Sequence, residues 1–233
     1  MSEVRVRIAP SPSGNLHIGT ARTALFNYLF AKKNNGKFIL RIEDTDAERT
    51  SQAYVDNIFD SLKALGLNWD EGPDVGGEYG PYTQSQRFDI YPKYIQKLLD
   101  EGFAYECFCT PEELEAEKEE ATKNKKAYVY SKKCENLTEE EKAKLRAEGR
   151  KPAIRFNVAK AQKAFHDSSI LEFDDLVKGK LHMDTDLIGD FVIMKSNGAP
   201  TYNYAVVIDD ALMKISHVIR GEDHICLLYT SPS

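Results

Sequence analysis

The chain has 233 residues, 42% of them hydrophobic, and a formal net charge of −6 at pH 7. That is enough apolar sequence for one or two packed domains, and no run of ~18 apolar residues or secretory leader interrupts it, so the reading is a cytoplasmic protein without a membrane segment. The acidic balance excludes a general polyanion binder, although a local basic surface leaves room for a specific nucleic-acid partner.

Val4, Val6 and Ile8 alternate with Arg5 and Arg7, the pattern of a strand. Ile18, Ala21, Leu25 and Leu29 then recur at helical spacing and predict an amphipathic helix that buries this face. Between them, Pro10 and Pro12 stiffen the exit from the strand and Gly14 permits a bend. His17 and Gly19 fall in the first helical turn, where unpaired N–H groups and the positive end of the dipole favour an anion. Without a side chain at Gly19 a nucleobase could approach the backbone, and a nucleotide fits that description. The alternative is a capping histidine beside a packing glycine.

Lys37 to Ile42 reads as an apolar strand that runs into Glu43, Asp44 and Asp46, three carboxylates within four residues. These either cap the next helix, whose apolar face is Val55, Ile58, Phe59, Leu62 and Leu65, or belong to a ligand edge. The two segments form a β-α-β unit with polar groups at the carboxyl ends of both strands, where ligands bind in open α/β sheets. Alternating strands and helices continue to about residue 105 and close with a helix from Phe88 to Leu99 and a Glu101-Gly102 stop.

Composition then shifts. Pro111 to Lys126 and Thr138 to Arg150 are dense in charge, and the lysines in and between them (Lys123, Lys125, Lys126, Lys132, Lys133) are read as solvated faces with no site. Ile154 to Val158 reads as a strand, and Phe191 to Lys195 with Asn197-Gly198 as a hairpin feeding a helix from Tyr202. Lys214 to Ile219 predicts a final strand. Three of the four cysteines, Cys107, Cys109 and Cys134, fall in the charged region, and a Cys-x-Cys pair is poor geometry for a mutual disulfide.

The stretch Arg7-Ile8-Ala9-Pro10-Ser11-Pro12-Ser13-Gly14-Asn15-Leu16-His17-Ile18-Gly19-Thr20, followed by Arg41-Ile42-Glu43-Asp44-Thr45-Asp46, closely resembles the amino terminus of the bacterial glutamyl-tRNA synthetases, which are class I aminoacyl-tRNA synthetases. Glu71 to Gly77, Gly80 to Arg87, Pro200 to Asn203 and Val218 to His224 keep that family's order. The glutaminyl relatives carry different versions of the first two motifs, so the resemblance is to the glutamyl branch. It implies an α/β chain: a Rossmann-like parallel-sheet nucleotide-binding domain interrupted by an α+β connective domain that meets the tRNA acceptor end. The expected bounds are 1–106 for the first half, 107–188 for the insertion and 189–225 for the return. Residues 226–233 depart from the family pattern and read as a non-native tail.

The resemblance also implies the chemistry. Glutamate would be activated with ATP and Mg²⁺ and joined to tRNA(Glu) in two steps through glutamyl-adenylate, by a monomer. Arg7 would grip the glutamate side-chain carboxylate with Tyr202; Arg220 would take the α-carboxylate; Glu43 and Ser11 would hold the ammonium, with Ala9 lining the pocket. His17, Gly19 and Thr20 would form the catalytic and ATP-binding turn, and Asp223 would lie near the ribose. Cys107, Cys109 and Cys134 are candidate ligands of a structural Zn²⁺, or else reduced, half-buried cysteines without a metal; the fourth ligand stays open, since Tyr130 matches the pattern of the glutamyl-queuosine relative and Asn136 stands where zinc-binding glutamyl enzymes often carry histidine. No Lys-x-Ser-Lys loop, the second ATP motif of the class, is present, so the 233 residues alone are expected to be inactive. A glutamyl-queuosine tRNA(Asp) synthetase relative and a non-catalytic tRNA-binding fragment are the alternatives.

Overall fold

A computed structural model describes residues 3–45, 50–166 and 168–221. In chain order the elements are β1 (Arg5–Ile8), α1 (Ile18–Lys33), β2 (Lys37–Leu40), α2 (Gln52–Ala64), α3 (Tyr91–Asp100), β3 (Ala104–Cys107), α4 (Pro111–Lys123), α5 (Glu139–Ala147), β4 (Ala153–Phe156), α6 (Val158–Phe165), β5 (Ile170–Asp175), β6 (Gly179–Asp184), β7 (Val192–Met194) and α7 (Tyr202–Leu212). Short 3₁₀ turns cover Gln84–Arg87 and Thr185–Leu187. None of the helices among the described residues is long and apolar enough to cross a membrane.

The chain divides into two compact units. One gathers the described residues up to Tyr91 with those from Tyr202 onward; the other runs from Pro92 to Thr201. In the second unit β3 pairs antiparallel with β4 and β4 with β7, so these three strands form one sheet.

In the first unit β1 and β2 run parallel, with Arg5 opposite Lys37 and Ile8 opposite Leu40, and α1 makes the crossover. Parallel bridges from Ile39 to Glu71 and from Ile42 to Thr83 extend the sheet edge. Gly36 is required where the crossover ends, because a β-carbon there would lie 2.2 Å from the Val4 carbonyl oxygen that Lys37 N–H bonds. All four residues of β1 are buried, as befits a parallel strand covered on both faces. The Val/Arg alternation is therefore not an inside/outside pattern.

The predicted face of α1 is corrected. Ile18 is 86% exposed, and Leu25 and Leu29 are also exposed; the buried line is Ala21, Ala24, Asn27 and Ala31. Small side chains let the helix axis approach the two strands closely, and the larger residues turn outward. On α2 the expected face largely holds, with Ile58 and Leu62 buried, Val55 and Phe59 packed against the core and Leu65 exposed. That core is Val6, Ile8, Phe38, Leu40, Ile42, Leu67 and Trp69 with the helix residues just named. Ser51, not the acidic run, caps α2; its hydroxyl accepts from Tyr54 N–H.

Two boundaries also move. The helix expected from Phe88 begins at Tyr91, after the 3₁₀ turn. The expected strand from Lys214 to Ile219 is absent: Ser216 N–H donates to the Arg5 carbonyl, but the Ser216 hydroxyl takes Arg5 N–H where a backbone carbonyl would continue a ladder.

The second unit holds the β3–β4–β7 sheet, the β5–β6 hairpin, which composition did not disclose, and the polar helices α4 and α5. Neither polar helix buries a residue, and each starts with a capping box, Thr110 with Glu113 and Thr138 with Glu141. Lys133 pairs with Glu113 and Glu117, and Lys132 with Asp190, so these lysines are spent within the unit.

Candidate functional site

His17 is the N-cap of α1, and its Nδ1 accepts the Gly19 N–H at 3.1 Å. An accepting Nδ1 leaves the neutral ring's proton on Nε2, which lies 3.2 Å from the Thr20 hydroxyl. The capping alternative is therefore realised, in a form that turns an Nε2–H donor toward the helix mouth. Gly19 leaves this ring its room: a β-carbon there would sit 2.9 Å from His17 Cε1. Pro10, Ser11, Ser13, Gly14, Asn15, Leu16, His17, Thr20 and Ile58 line a half-open cleft of about 270 Å³ at this mouth. Gly14 takes no left-handed φ, and a β-carbon on it would meet open space, so its contribution is room in the cleft rather than a bend.

The first unit also holds a buried ionic network. Arg7 at the end of β1 forks onto Asp210 of α7, with Nε to Oδ1 at 3.1 Å and Nη2 to Oδ2 at 3.0 Å. Arg41, fully buried, donates to Asp210 at 2.7 Å and to Glu43 at 3.0 Å. Asp209 accepts from Arg87 Nε at 2.7 Å, Gln84 Nε2 at 2.8 Å and the Tyr91 hydroxyl at 3.0 Å. Three guanidiniums thus face three carboxylates, and the network is neutral within itself. Burial pushes the Glu43 carboxyl above its ordinary value against the opposing pull of Arg41, while its carboxylate partners push the Arg41 guanidinium higher still. Glu43 N–H donates to the Pro10 carbonyl, tying the network to the rim of the cleft.

Tyr202 opens α7, and its hydroxyl accepts from Arg220 at 2.9 Å. Burial raises the Tyr202 phenol, and the charges of Glu43, Arg220 and Arg7 all bear on it. Arg7, Glu43, Tyr202 and Arg220 are therefore brought into one polar cluster, beside Ser11, exposed on the cleft, and Ala9, half-buried after β1. Asp223, Asp46 and residues 226–233 lie outside the described residues.

In the second unit β3 ends at Cys107, and Cys107, Cys109 and Cys134 place their sulfurs within 4.8 Å of one another. The Tyr130 hydroxyl lies 3.4 Å from Cys107 Sγ and 3.2 Å from Cys109 Sγ, and the Cys109 and Cys134 sulfurs are 3.5 Å apart. Neighbouring sulfurs around a tetrahedral zinc are about 3.8 Å apart, given Zn–S distances near 2.3 Å, so three thiols and a phenol at these spacings fit such an ion. Hydrogen bonds from Cys109 and Cys134 hold the Cys107 thiol far below its ordinary range, and Cys109 is raised in consequence.

Asp209, Asp210, Arg41 and Arg87 were not anticipated as parts of the site. The signal was available: two adjacent aspartates, Asp209-Asp210, interrupt an otherwise largely apolar helical run, and a buried acid demands a cation.

The sequence matches the model for tRNA synthetases class I (E and Q), catalytic domain, over residues 3–227. It is 58% identical over 224 residues to a glutamate–tRNA ligase of Bacillus licheniformis and 56% identical over 224 residues to one of Bacillus subtilis, covering 96% of this chain and 45% of each relative. The chain therefore spans about half the length of the curated relatives it matches. Among solved structures it superposes with a TM-score of 0.85 and 42% identity on a glutamate tRNA ligase from Elizabethkingia meningosepticum in complex with its amino acid, covering 98% of this chain and 47% of that one. The glutamate–tRNA synthetase of Elizabethkingia anophelis gives a TM-score of 0.87, also at 42% identity.

Proposed function

Because the chain belongs to the tRNA synthetases class I (E and Q) catalytic-domain family, we propose that it is the glutamate- and ATP-binding part of a glutamate–tRNA ligase. The observation that carries this reading is the polar cluster itself, which gathers the Arg7 guanidinium, the Glu43 carboxylate and the Tyr202 hydroxyl with Arg220. Glutamate brings two carboxylates and one ammonium, and cations and a carboxylate in fixed places match them.

An α-carboxylate oxygen of glutamate would attack the ATP α-phosphorus. The bond to pyrophosphate breaks, and glutamyl-adenylate forms. A terminal ribose hydroxyl of tRNA(Glu) would then attack the activated carbonyl carbon and release AMP. Neither step needs a protein nucleophile; positioning and charge stabilisation supply the acceleration. Arg7 with Tyr202 would bind the side-chain carboxylate, Arg220 the α-carboxylate, and Glu43 with Ser11 the ammonium, in a pocket walled by Ala9. The Nε2–H of His17 would exchange the Thr20 hydroxyl for a phosphate oxygen, with Gly19 and Thr20 shaping the nucleotide site and Asp223 near the ribose. No described residue lining the cleft carries a carboxylate, so Mg²⁺ would travel with the triphosphate.

Cys107, Cys109, Tyr130 and Cys134 would hold a structural zinc, which crosslinks the end of β3 to the loop after α4. The 233 residues contain no Lys-x-Ser-Lys sequence, so this chain alone would bind ligands without turning over. Calorimetric titration of the chain with non-hydrolysable glutamyl- and glutaminyl-adenylate analogues tests the reading. The glutamyl analogue is expected to bind at least ~30-fold more tightly, the effect of losing one charged partner worth about 2 kcal/mol; equal affinities would overturn it.

A further inference from the structure

The thiol–phenol cluster has a neighbour that the ligand set does not account for. Arg155 lies on β4, opposite Tyr105 of β3 and Val192 of β7, and is 7% exposed. Its guanidinium carbon is 3.8 Å from the centroid of the Tyr130 ring, so the cation lies on the face of the phenol whose oxygen meets two of the sulfurs. One nitrogen, Nη1, donates to the Asp190 carbonyl at 2.8 Å, while Nε has no hydrogen-bond partner among the described residues. Among the described residues no carboxylate takes this guanidinium: the Asp190 side chain is engaged by the Tyr105 hydroxyl, Val158 N–H and Lys132. A buried arginine without a carboxylate needs some other anion close by.

The cluster supplies one when loaded. Three thiolates around a divalent ion leave about one net negative charge before the phenol is counted, in a buried setting where such an excess is costly. We propose that Arg155 is the counter-cation of this metal site, stacked on Tyr130 to offset the excess charge and to hold the phenol at the fourth position. The inference rests on the zinc reading above. Arginine suits the task because its planar group both carries the charge and lies flat on an aromatic face. It is a positioning residue: it touches the ligands and not the ion.

The test is metal affinity, not activity. The 233-residue chain and its Arg155→Gln and Arg155→Lys variants are stripped and reloaded with Zn²⁺ against a chromophoric chelator, and the thiolate-to-metal absorption of the Co²⁺ forms is recorded. The parent is expected to hold one zinc; Arg155→Gln is expected to bind it 10- to 100-fold more weakly, the usual effect of losing a group that supports a ligand, with an altered Co²⁺ band. Arg155→Lys is expected to recover part of that loss. A parent that takes up no zinc overturns the metal reading itself. A parent that loads while Arg155→Gln stays within twofold of it overturns the role of Arg155 alone. If Arg155→Gln fails to fold, Arg155→Lys decides: it keeps the charge but not the flat contact, so severalfold weaker binding supports the inference. Parental affinity with a parental Co²⁺ spectrum would then refute it.

Discussion

Arg7 is neither a surface strand arginine nor an open ligand fork. It is 5% exposed and already holds Asp210 through Nε and Nη2, so a glutamate carboxylate would meet a guanidinium whose orientation is fixed beforehand. Arg7→Ala leaves Asp210 paired with Arg41, and the vacated site loses a cation without creating an orphan acid. In the complete enzyme the variant is therefore expected to fold and to lose ~2–5 kcal/mol of glutamate selection, on the order of 30- to 4,000-fold in kcat/KM for glutamate, with KM for ATP little changed. Comparable losses for both substrates would sink this role. At the other end of the cleft, Gly19→Ala forces the His17 ring off its cap, because the new methyl would lie 2.9 Å from Cε1. The ring is free to swing outward, so the fold survives at a cost of about 1 kcal/mol, the value of an N-cap. ATP binding should weaken while glutamate binding stays, and separate titrations with the two ligands would reveal the split.

Helix α7 carries more of the first unit than its apolar sequence announces. Asp209 accepts from Arg87, Gln84 and Tyr91, and Arg41 Nε lies 3.9 Å away, all fully buried or nearly so. Removing one partner of such a group strands the others, and Asp209→Ala is expected to cost ~3–5 kcal/mol. Urea denaturation would show this as a lower midpoint at unchanged slope; a midpoint within error of the parent would contradict it. The same elements show what was legible in the sequence. Period was readable: the β1–α1–β2 crossover, the face of α2, and the turn at Asn197-Gly198 follow from spacing alone. Phase on α1 was not, because hydrophobicity favours Leu25 and Leu29 for the interior whereas close approach to β1 and β2 selects alanine. The three thiols and the Tyr130 hydroxyl meet in the fold, but spacing alone could not fix a fourth ligand. The β5–β6 hairpin escaped because most of its apolar residues are not buried: Leu176 and Val177, at its turn, are 80% and 93% exposed, and of its apolar side chains only Met183 is buried. Arg155, Asp209 and Asp210 escaped because a buried charge is recognised by its partner, and the partner is distant in sequence.

The two units have separate cores, and the chemistry divides between them: the nucleotide cleft and ionic network belong to the first, the cysteine cluster to the second. The only tryptophan, Trp69, is buried in the first core and donates to Asp74, so its fluorescence reports that unit, whereas far-UV dichroism reports both. Acid should act on the first unit through Glu71. Its carboxylate takes both Arg5 nitrogens at 2.7 and 2.8 Å and the Tyr82 hydroxyl, and the Arg5 hydrogen bonds hold it below its ordinary value of 4.5. A depressed carboxyl stabilises the fold fully above that ordinary value and ceases to do so as pH falls through its lower folded value. Glu71→Gln should therefore lower the urea midpoint read by Trp69 at neutral pH, and the gap to the parent should close below about 4.5; a gap independent of pH would assign the loss to packing instead. A chelator should act on the other unit. If zinc ties Cys107, Cys109, Tyr130 and Cys134 together, its removal withdraws the crosslink from the cluster they form with Tyr105, Leu114 and Leu137. Excess chelator should lower the dichroism-detected thermal transition and leave the Trp69 transition in place, and re-addition of zinc should restore it. A chelator-insensitive dichroism transition would deny the metal any structural role, while equal shifts in both signals would mean that the two cores melt as one.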